Sequence, residues 1–302
     1  MRFPGYRSLF VLCLIGSTAV GQTKSESAIN DGSATTSEGI RIHYLQSGDA
    51  TSPRALVLIP GWRLPAFLWE EQLKKFAPAM RVIAVDPRSQ GESTKVTEGN
   101  TPESRAQDYH DVLGKLGVSR PVLVGWSQGA QDVAAYLQQF GADSVVGVVF
   151  VDSPVSAGPG ELEIHKEASK AELSGMSLYA RFPKEYSEGM LHAIFKKPLS
   201  DDQFQRLLKA ILQTPTDTGV SMLAMDLYGA DRRPALSKLN KPALVVASAE
   251  SQELDAQKEM AASIPGAKFV AIEVAAHAVF VDQPGKFDEA LLSFLQSLPQ
   301  SQ

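Results

Sequence analysis

The chain has 302 residues, 44% hydrophobic and 21% charged, a globular composition long enough for one large α/β domain or two small ones. Its formal net charge of −5 comes without any basic block, which leaves out a nucleic-acid partner, and the acidic excess is too slight to name another. The sequence holds no heptads, fixed-period repeats or low-complexity tracts.

At the start, Arg2 and Arg7 precede an apolar run over residues 9–21. A positive n-region followed by an h-region of this length reads as a signal peptide, and the run is too short for a comfortable membrane span. Ala19, Val20 and Gly21 offer small residues for cleavage before Gln22, with Ser17 to Ala19 as a second option and an uncleaved anchor as the alternative. The expectation is a leader over residues 1–21 and an exported product, periplasmic or secreted, with no stable membrane association after cleavage. The only cysteine, Cys13, lies in that leader, so the mature chain has no disulfide, thiol nucleophile or cysteine metal site and relies on its core. Residues 22–37, rich in Ser, Thr and Gly, read as a flexible lead-in.

Residues 40–48 (IRIHYLQSG) alternate apolar and polar, as a half-exposed strand does. Residues 55–60 (ALVLIP) are uniformly apolar, the mark of a strand buried on both faces. The same signal recurs at residues 81–86, 122–125, 145–152, 243–248 and 268–274. Helical patterns lie between most of these, at residues 69–76, 101–116, 130–140, 254–263 and 284–298. The alternation predicts an α/β fold with a doubly wound, mostly parallel sheet. From 153 to 239 no buried strand is evident, only helical fragments punctuated by Pro183, Pro198 and Pro215. The expected organisation is a core over 38–152 and 240–299, with a helical cap at 153–239 over the C-terminal sheet edge, where open α/β sheets bind ligands.

At residues 122–137 (VLVGWSQGAQDVAAYL) a buried strand runs straight into a helix through Gly125, Trp126, Ser127, Gln128 and Gly129. Gly-x-Ser-x-Gly at such a junction is the nucleophile-elbow pattern. Side chains at the two glycines would collide with the adjoining strand and helix. The helix start aims free N–H groups and a positive dipole end at the serine, and the Gln128 N–H is a natural oxyanion donor. The bland alternative is a turn that merely needs small residues.

A serine nucleophile needs a base. His43 alternates on a strand, His110 sits on a polar-faced helix, and His165 and His192 fall in the insertion. His277 differs: it follows the last strand in the loop AAHAVFVDQP, which reaches the same sheet edge as Ser127.

These stretches resemble the α/β-hydrolase superfamily from about residue 39 to residue 298. LIPGWRLPAFLWEEQ is similar to its oxyanion loop, RVIAVDPRSQGES to its strand-4 turn, GWSQG to its elbow and AAHAVFVDQPGKFDEALLSFL to its histidine loop and last helix. Residues 133–154 are most like the small esterases and cofactor-free chloroperoxidase-like (perhydrolase) proteins. The resemblance implies that the Trp62 N–H is the second oxyanion donor. Two departures stand out. Pro60 replaces the usual histidine before the glycine of the oxyanion loop. Ser251 occupies the usual slot of the triad aspartate, flanked by Glu250 and Glu253. Branches of the fold that take the acid from the preceding core strand would use Asp152; Glu250 or Glu253 is the alternative.

The resemblance implies a serine hydrolase acting on a small or medium carboxylic ester through an acyl-enzyme, with Ser127, His277 and Asp152 as its triad. Two rivals stay open: perhydrolysis by the same triad, and a ligand-binding protein on a hydrolase scaffold with little turnover. Trp62, Trp126, Met176, Tyr179, Met190, Phe195 and Met222 are candidates for an apolar pocket. Asp86, Arg88 and Gln90 read as a structural turn, Asp111 and Asp132 as solvated helix faces, and Asp226, Asp231, Arg232 and Arg233 as braces of the insertion. No His, Asp or Glu cluster has metal-ligand spacing and no Gly-rich loop matches a phosphate cradle, so no cofactor and no metal are expected.

Overall fold

The computed structural model of the chain describes residues 28–299, so the expected leader and Cys13 lie outside the described residues. The chain opens with strands β1 (Asn30–Thr35), β2 (Arg41–Ser47) and β3 (Arg54–Ile59), helix α1 (Glu70–Phe76), β4 (Arg81–Val85) and α2 (Pro102–Lys115). Then come β5 (Arg120–Trp126), α3 (Gln128–Phe140) and β6 (Gly147–Val151). Six helices follow: α4 (Glu161–Ile164), α5 (Lys166–Arg181), α6 (Pro183–Ile194), α7 (Asp201–Ile211), α8 (Thr216–Tyr228) and α9 (Arg233–Ser237). The chain ends with β7 (Ala243–Ser248), α10 (Leu254–Ser263), β8 (Lys268–Ile272), α11 (Val279–Asp282) and α12 (Pro284–Ser297).

The strands form one sheet in the order β1-β2-β4-β3-β5-β6-β7-β8. β1 and β2 run antiparallel to their neighbours, and the other pairs are parallel. The uniformly apolar strands are buried on both faces. Leu56 and Leu58 of β3 point into the layer formed with α1 and α12. Ala55, Val57 and Ile59 point into the opposite layer, with α2, α3 and α10. The direction of winding reverses at β3, which pairs with β4 on one side and β5 on the other, and open α/β sheets bind ligands beyond the strand ends at such a point.

Local signals explain the helix starts. Thr101 caps α2 by accepting from the Ser104 N–H at 3.2 Å, with Pro102 in the first turn where its missing N–H costs nothing. Ser200 and Gln203 form a reciprocal capping box on α7.

Three expectations need correction. Residues 30–35 are not a flexible lead-in but the edge strand β1, paired in register with β2; their Ser, Thr and Gly content suits an edge with one solvated face. The last strand is not buried on both faces: β8 is the opposite edge, half-exposed, and ends at Ile272. Asp132 is not solvated. It is fully buried on α3 and bonded to Arg105, because α3 lies at the centre of its layer and has no water-facing side there.

Candidate active site

Ser127 sits between β5 and α3 with φ 55° and ψ −119°. That is the conformation of the first central residue of a type II′ turn, which favours glycine. The hydroxyl does not cap its own helix. The strand and helix meet so closely that a Cβ on Gly125 would lie 2.2 Å from the Gly129 carbonyl oxygen. A Cβ on Gly129 would lie 2.7 Å from the Ile59 carbonyl oxygen.

Register carries the other groups to Ser127. Ile59 at the end of β3 pairs with Gly125 of β5, so Gly61 arrives beside the serine, where a Cβ would be 3.0 Å from the Ser127 Cβ. The N–H groups of Trp62 and Gln128 find no acceptor among the described residues. For Gln128 this follows from its place at the first residue of a helix. Trp126 pairs with Val151, and the Ser127 N–H donates to the Val151 carbonyl at 3.1 Å, so Asp152 emerges next to the elbow. Asp152 also has a positive φ, 45°.

The buried Asp152 carboxylate is fully occupied. Its Oδ1 accepts from the Ser248 N–H at 2.8 Å and from Gln257 Nε2 at 3.2 Å, and its Oδ2 lies 2.9 Å from His277 Nδ1. The imidazole keeps 30% of its surface exposed. Its loop is held by the Trp126 indole, which donates to the His277 carbonyl at 3.0 Å. Asp282 also holds it, accepting from the Ala276 N–H at 2.8 Å and from the Lys196 N–H at 2.9 Å. Among the described residues no hydrogen bond closes between Ser127 Oγ and the imidazole; in ligand-free enzymes that contact commonly tightens only when substrate binds.

The two glutamates stand apart from Nδ1. Glu250 pairs with Lys196 at the surface. Glu253 has solvent on one side and crowding protein on the other. That desolvation, reinforced by Glu172 and Asp152 against the opposing pull of His277, raises its carboxyl to about 7. Ser251, in the slot between them, accepts from Gln257 Nε2 at 3.2 Å and so reaches Asp152 only through that amide.

The apolar candidates divide. Trp62, Tyr179 and Met222 form one buried cluster that joins the loop after β3 to the cap, with Met190 against it. Trp126 and Phe195 belong instead to the main core, where Trp126 meets Trp69 and Phe280 edge to face. The turn after β4 is structural: Asp86 accepts from the Ala66 N–H at 2.6 Å and the Glu92 N–H at 2.8 Å, and pairs with His43 Nδ1 at 2.7 Å. Arg88 is bonded to Asp108. Among the described residues no group of three or more His, Cys, Asp and Glu side chains is placed to hold a metal ion.

Sequence reasoning missed Gln257, the Trp126 indole contact and a buried charge network below the elbow. Arg105 joins Asp132 and Asp226, and Asp226 also accepts from Gln128 Nε2 at 2.7 Å. No local pattern announces these, since each bond links distant parts of the chain.

A sequence model of the Alpha/beta hydrolase family matches residues 56–290. A non-heme chloroperoxidase of Kitasatospora aureofaciens is 29% identical over 276 residues, 86% of this chain and 98% of that protein. A bifunctional esterase/perhydrolase of Acinetobacter calcoaceticus is 33% identical over 123 residues, 40% of this chain and 44% of that protein. The crystal structure of a bromoperoxidase from Bacillus anthracis superposes with a TM-score of 0.80 at 24% identity, covering 89% of this chain and all of that one. The chain belongs to the α/β hydrolase family.

Proposed function

We propose that the protein is a serine hydrolase that cleaves a small or medium carboxylic ester through an acyl-enzyme. Ser127 Oγ attacks the ester carbonyl carbon while His277 Nε2 takes its proton. Asp152, on Nδ1, fixes the tautomer and stabilises the imidazolium that forms. The Trp62 and Gln128 N–H groups receive the oxyanion, each worth a few kcal/mol when aligned. The C–O bond to the alcohol breaks as His277 returns the proton to the leaving oxygen. Water, deprotonated by His277, then splits the acyl-enzyme and frees the acid and Ser127. The observation that carries this reading is the 2.9 Å contact of Asp152 with His277 Nδ1 at the sheet edge that also bears Ser127.

A fluorophosphonate probe should label the protein and p-nitrophenyl acetate should be hydrolysed, with both lost in folded Ser127→Ala. Residual turnover within about tenfold of wild type would remove Ser127 from the role, since loss of a triad nucleophile costs orders of magnitude.

The relatives favour a second reading, perhydrolysis. Here hydrogen peroxide replaces water in the second half-reaction and the product is a peracid. One relative bears both activities in its name. A peroxide-dependent halogenation assay with acetate separates the two. We further propose export, on the leader pattern of residues 1–21; N-terminal sequencing of the exported protein should return Gln22, and Met1 would refute cleavage.

A further inference from the structure

Both residues assigned to the oxyanion hole are tied by their side chains to one cap helix. The Trp62 indole Nε1 donates to the Gly219 carbonyl at 2.9 Å, and Gln128 Nε2 donates to Asp226 Oδ2 at 2.7 Å. Gly219 and Asp226 both belong to α8 and are seven residues, about two turns, apart, so they share one face of it. The two N–H groups come from separate segments, one on the loop after β3 and one at the start of α3, and α8 is bonded to both.

The strut is rooted in charge. Asp226 also bonds Arg105, whose Nε lies 2.9 Å and 3.0 Å from the two oxygens of Asp132. Tyr109 donates to Asp132 at 2.7 Å. Arg105, Asp132 and Asp226 are all buried. Buried charges are costly, and a packed apolar contact would join cap to core as well. A charge-assisted bond adds direction: it fixes the residue after Ser127 relative to α8. At the other end the Arg63 guanidinium lies 3.9 Å from the Trp62 ring centroid and 4.2 Å from that of Tyr179, and the two rings meet edge to face at 4.9 Å, so Trp62 is held by its ring as well as by its Nε1.

We propose that α8 is a positioning element for the oxyanion hole, acting through Asp226 on Gln128 and through the Gly219 carbonyl on Trp62. The inference rests on the serine hydrolase reading. It makes the cap part of the machinery that aligns the donors, so a displacement of α8 changes the spacing of the hole.

The test measures kcat and KM on p-nitrophenyl acetate for Trp62→Phe, Gln128→Leu and Asp226→Asn, with melting and fluorophosphonate labelling alongside. Trp62→Phe keeps an aromatic ring and removes the donor together with part of the indole's packing. Gln128→Leu leaves the buried charges in place, which keeps the test alive if Asp226→Asn does not fold. The control is Thr214→Val, which removes another cap-to-core bond, from Thr214 Oγ1 to the Ser89 carbonyl at 2.7 Å, that involves neither Trp62 nor Gln128. Expected is a kcat loss of roughly tenfold or more in the three strut variants with KM within about threefold, because the loosened contact belongs to the transition state. Thr214→Val should melt lower and keep its kcat. Strut variants within about twofold of wild-type kcat, or an equal loss in Thr214→Val, overturn the inference while Ser127-dependent turnover in the wild type leaves the hydrolase reading intact. Absence of both labelling and turnover in the wild type overturns that reading and the inference with it.

Discussion

The indole Nε1 of Trp126 donates to the main-chain carbonyl of His277 at 3.0 Å, so the residue before Ser127 holds the loop that carries His277. The two rings lie 5.4 Å apart between centroids. One buried side chain thus couples the end of β5 to the segment after β8, across two intervening strands. Trp126→Phe deletes the donor and leaves a smaller ring against Trp69 and Phe280. It should lower the melting temperature, as a large-to-small core substitution does, and lower kcat by about tenfold in the protein that stays folded, as expected when His277 is displaced by a fraction of an ångström. Unchanged kcat would show that Asp152 and Asp282 suffice to hold the loop.

Asp152 makes all its contacts with groups that need an anion or an acceptor: one backbone N–H, one amide and one imidazole nitrogen. Asp152→Asn keeps its size and offers the wrong partner to Nδ1. Its kcat/KM should drop by roughly two to four orders of magnitude. Glu250→Gln and Glu253→Gln should stay within about tenfold of wild type, as for loop residues outside the imidazole's hydrogen-bond shell. If a glutamate variant collapses while Asp152→Asn stays active, the acid belongs to the segment after β7.

Ser127 is held at a backbone conformation that suits glycine. Such strain at a functional residue is worth on the order of 1–3 kcal/mol. Ser127→Gly releases it and Ser127→Ala does not. Both should be inactive, and the glycine variant should melt higher than the alanine variant. The reverse order would mean that the elbow is not strained.

Burial raises the Asp226 carboxyl to about 7, with Arg105 pulling against the rise and Asp132 reinforcing it. A carboxyl that binds its proton more tightly when folded favours folding below its unfolded pKa of 3.8, and that contribution is lost as pH rises through about 7. The stability of wild type minus that of Asp226→Asn should therefore decline from about pH 5 to pH 8. A flat difference across that range would show that Arg105 keeps the carboxylate charged throughout.

The sequence by itself determined the sheet and the place of Ser127 at its strand-to-helix turn. Uniform apolar runs such as residues 55–60 mark strands covered on both faces, because a backbone sandwiched between helices has no solvated side to leave polar. Gly125 and Gly129 flag Ser127 because only hydrogen fits where β5 and α3 touch. His277 was legible from its place after the last strand. These are local signals, written in neighbouring residues.

What the tertiary structure decided is everything that depends on register between distant segments. The sequence favoured Asp152 but left Glu250 and Glu253 open; the pairing of Val151 with Val246 and of Ser248 with Ile272 is what carries the β6 end, and not the loop after β7, to Nδ1 of His277. Asp132 looked solvated because helical periodicity reports a face without saying what covers it, and α2 and α8 both cover it. Ser, Thr and Gly at residues 30–35 gave no hydrophobic pattern, so only the backbone ladder with β2 made them a strand. The ties from α8 to Trp62 and Gln128 span 157 and 98 residues of sequence. A single hydrogen bond between such distant positions leaves no periodic trace, and only the packed cap brings its partners together.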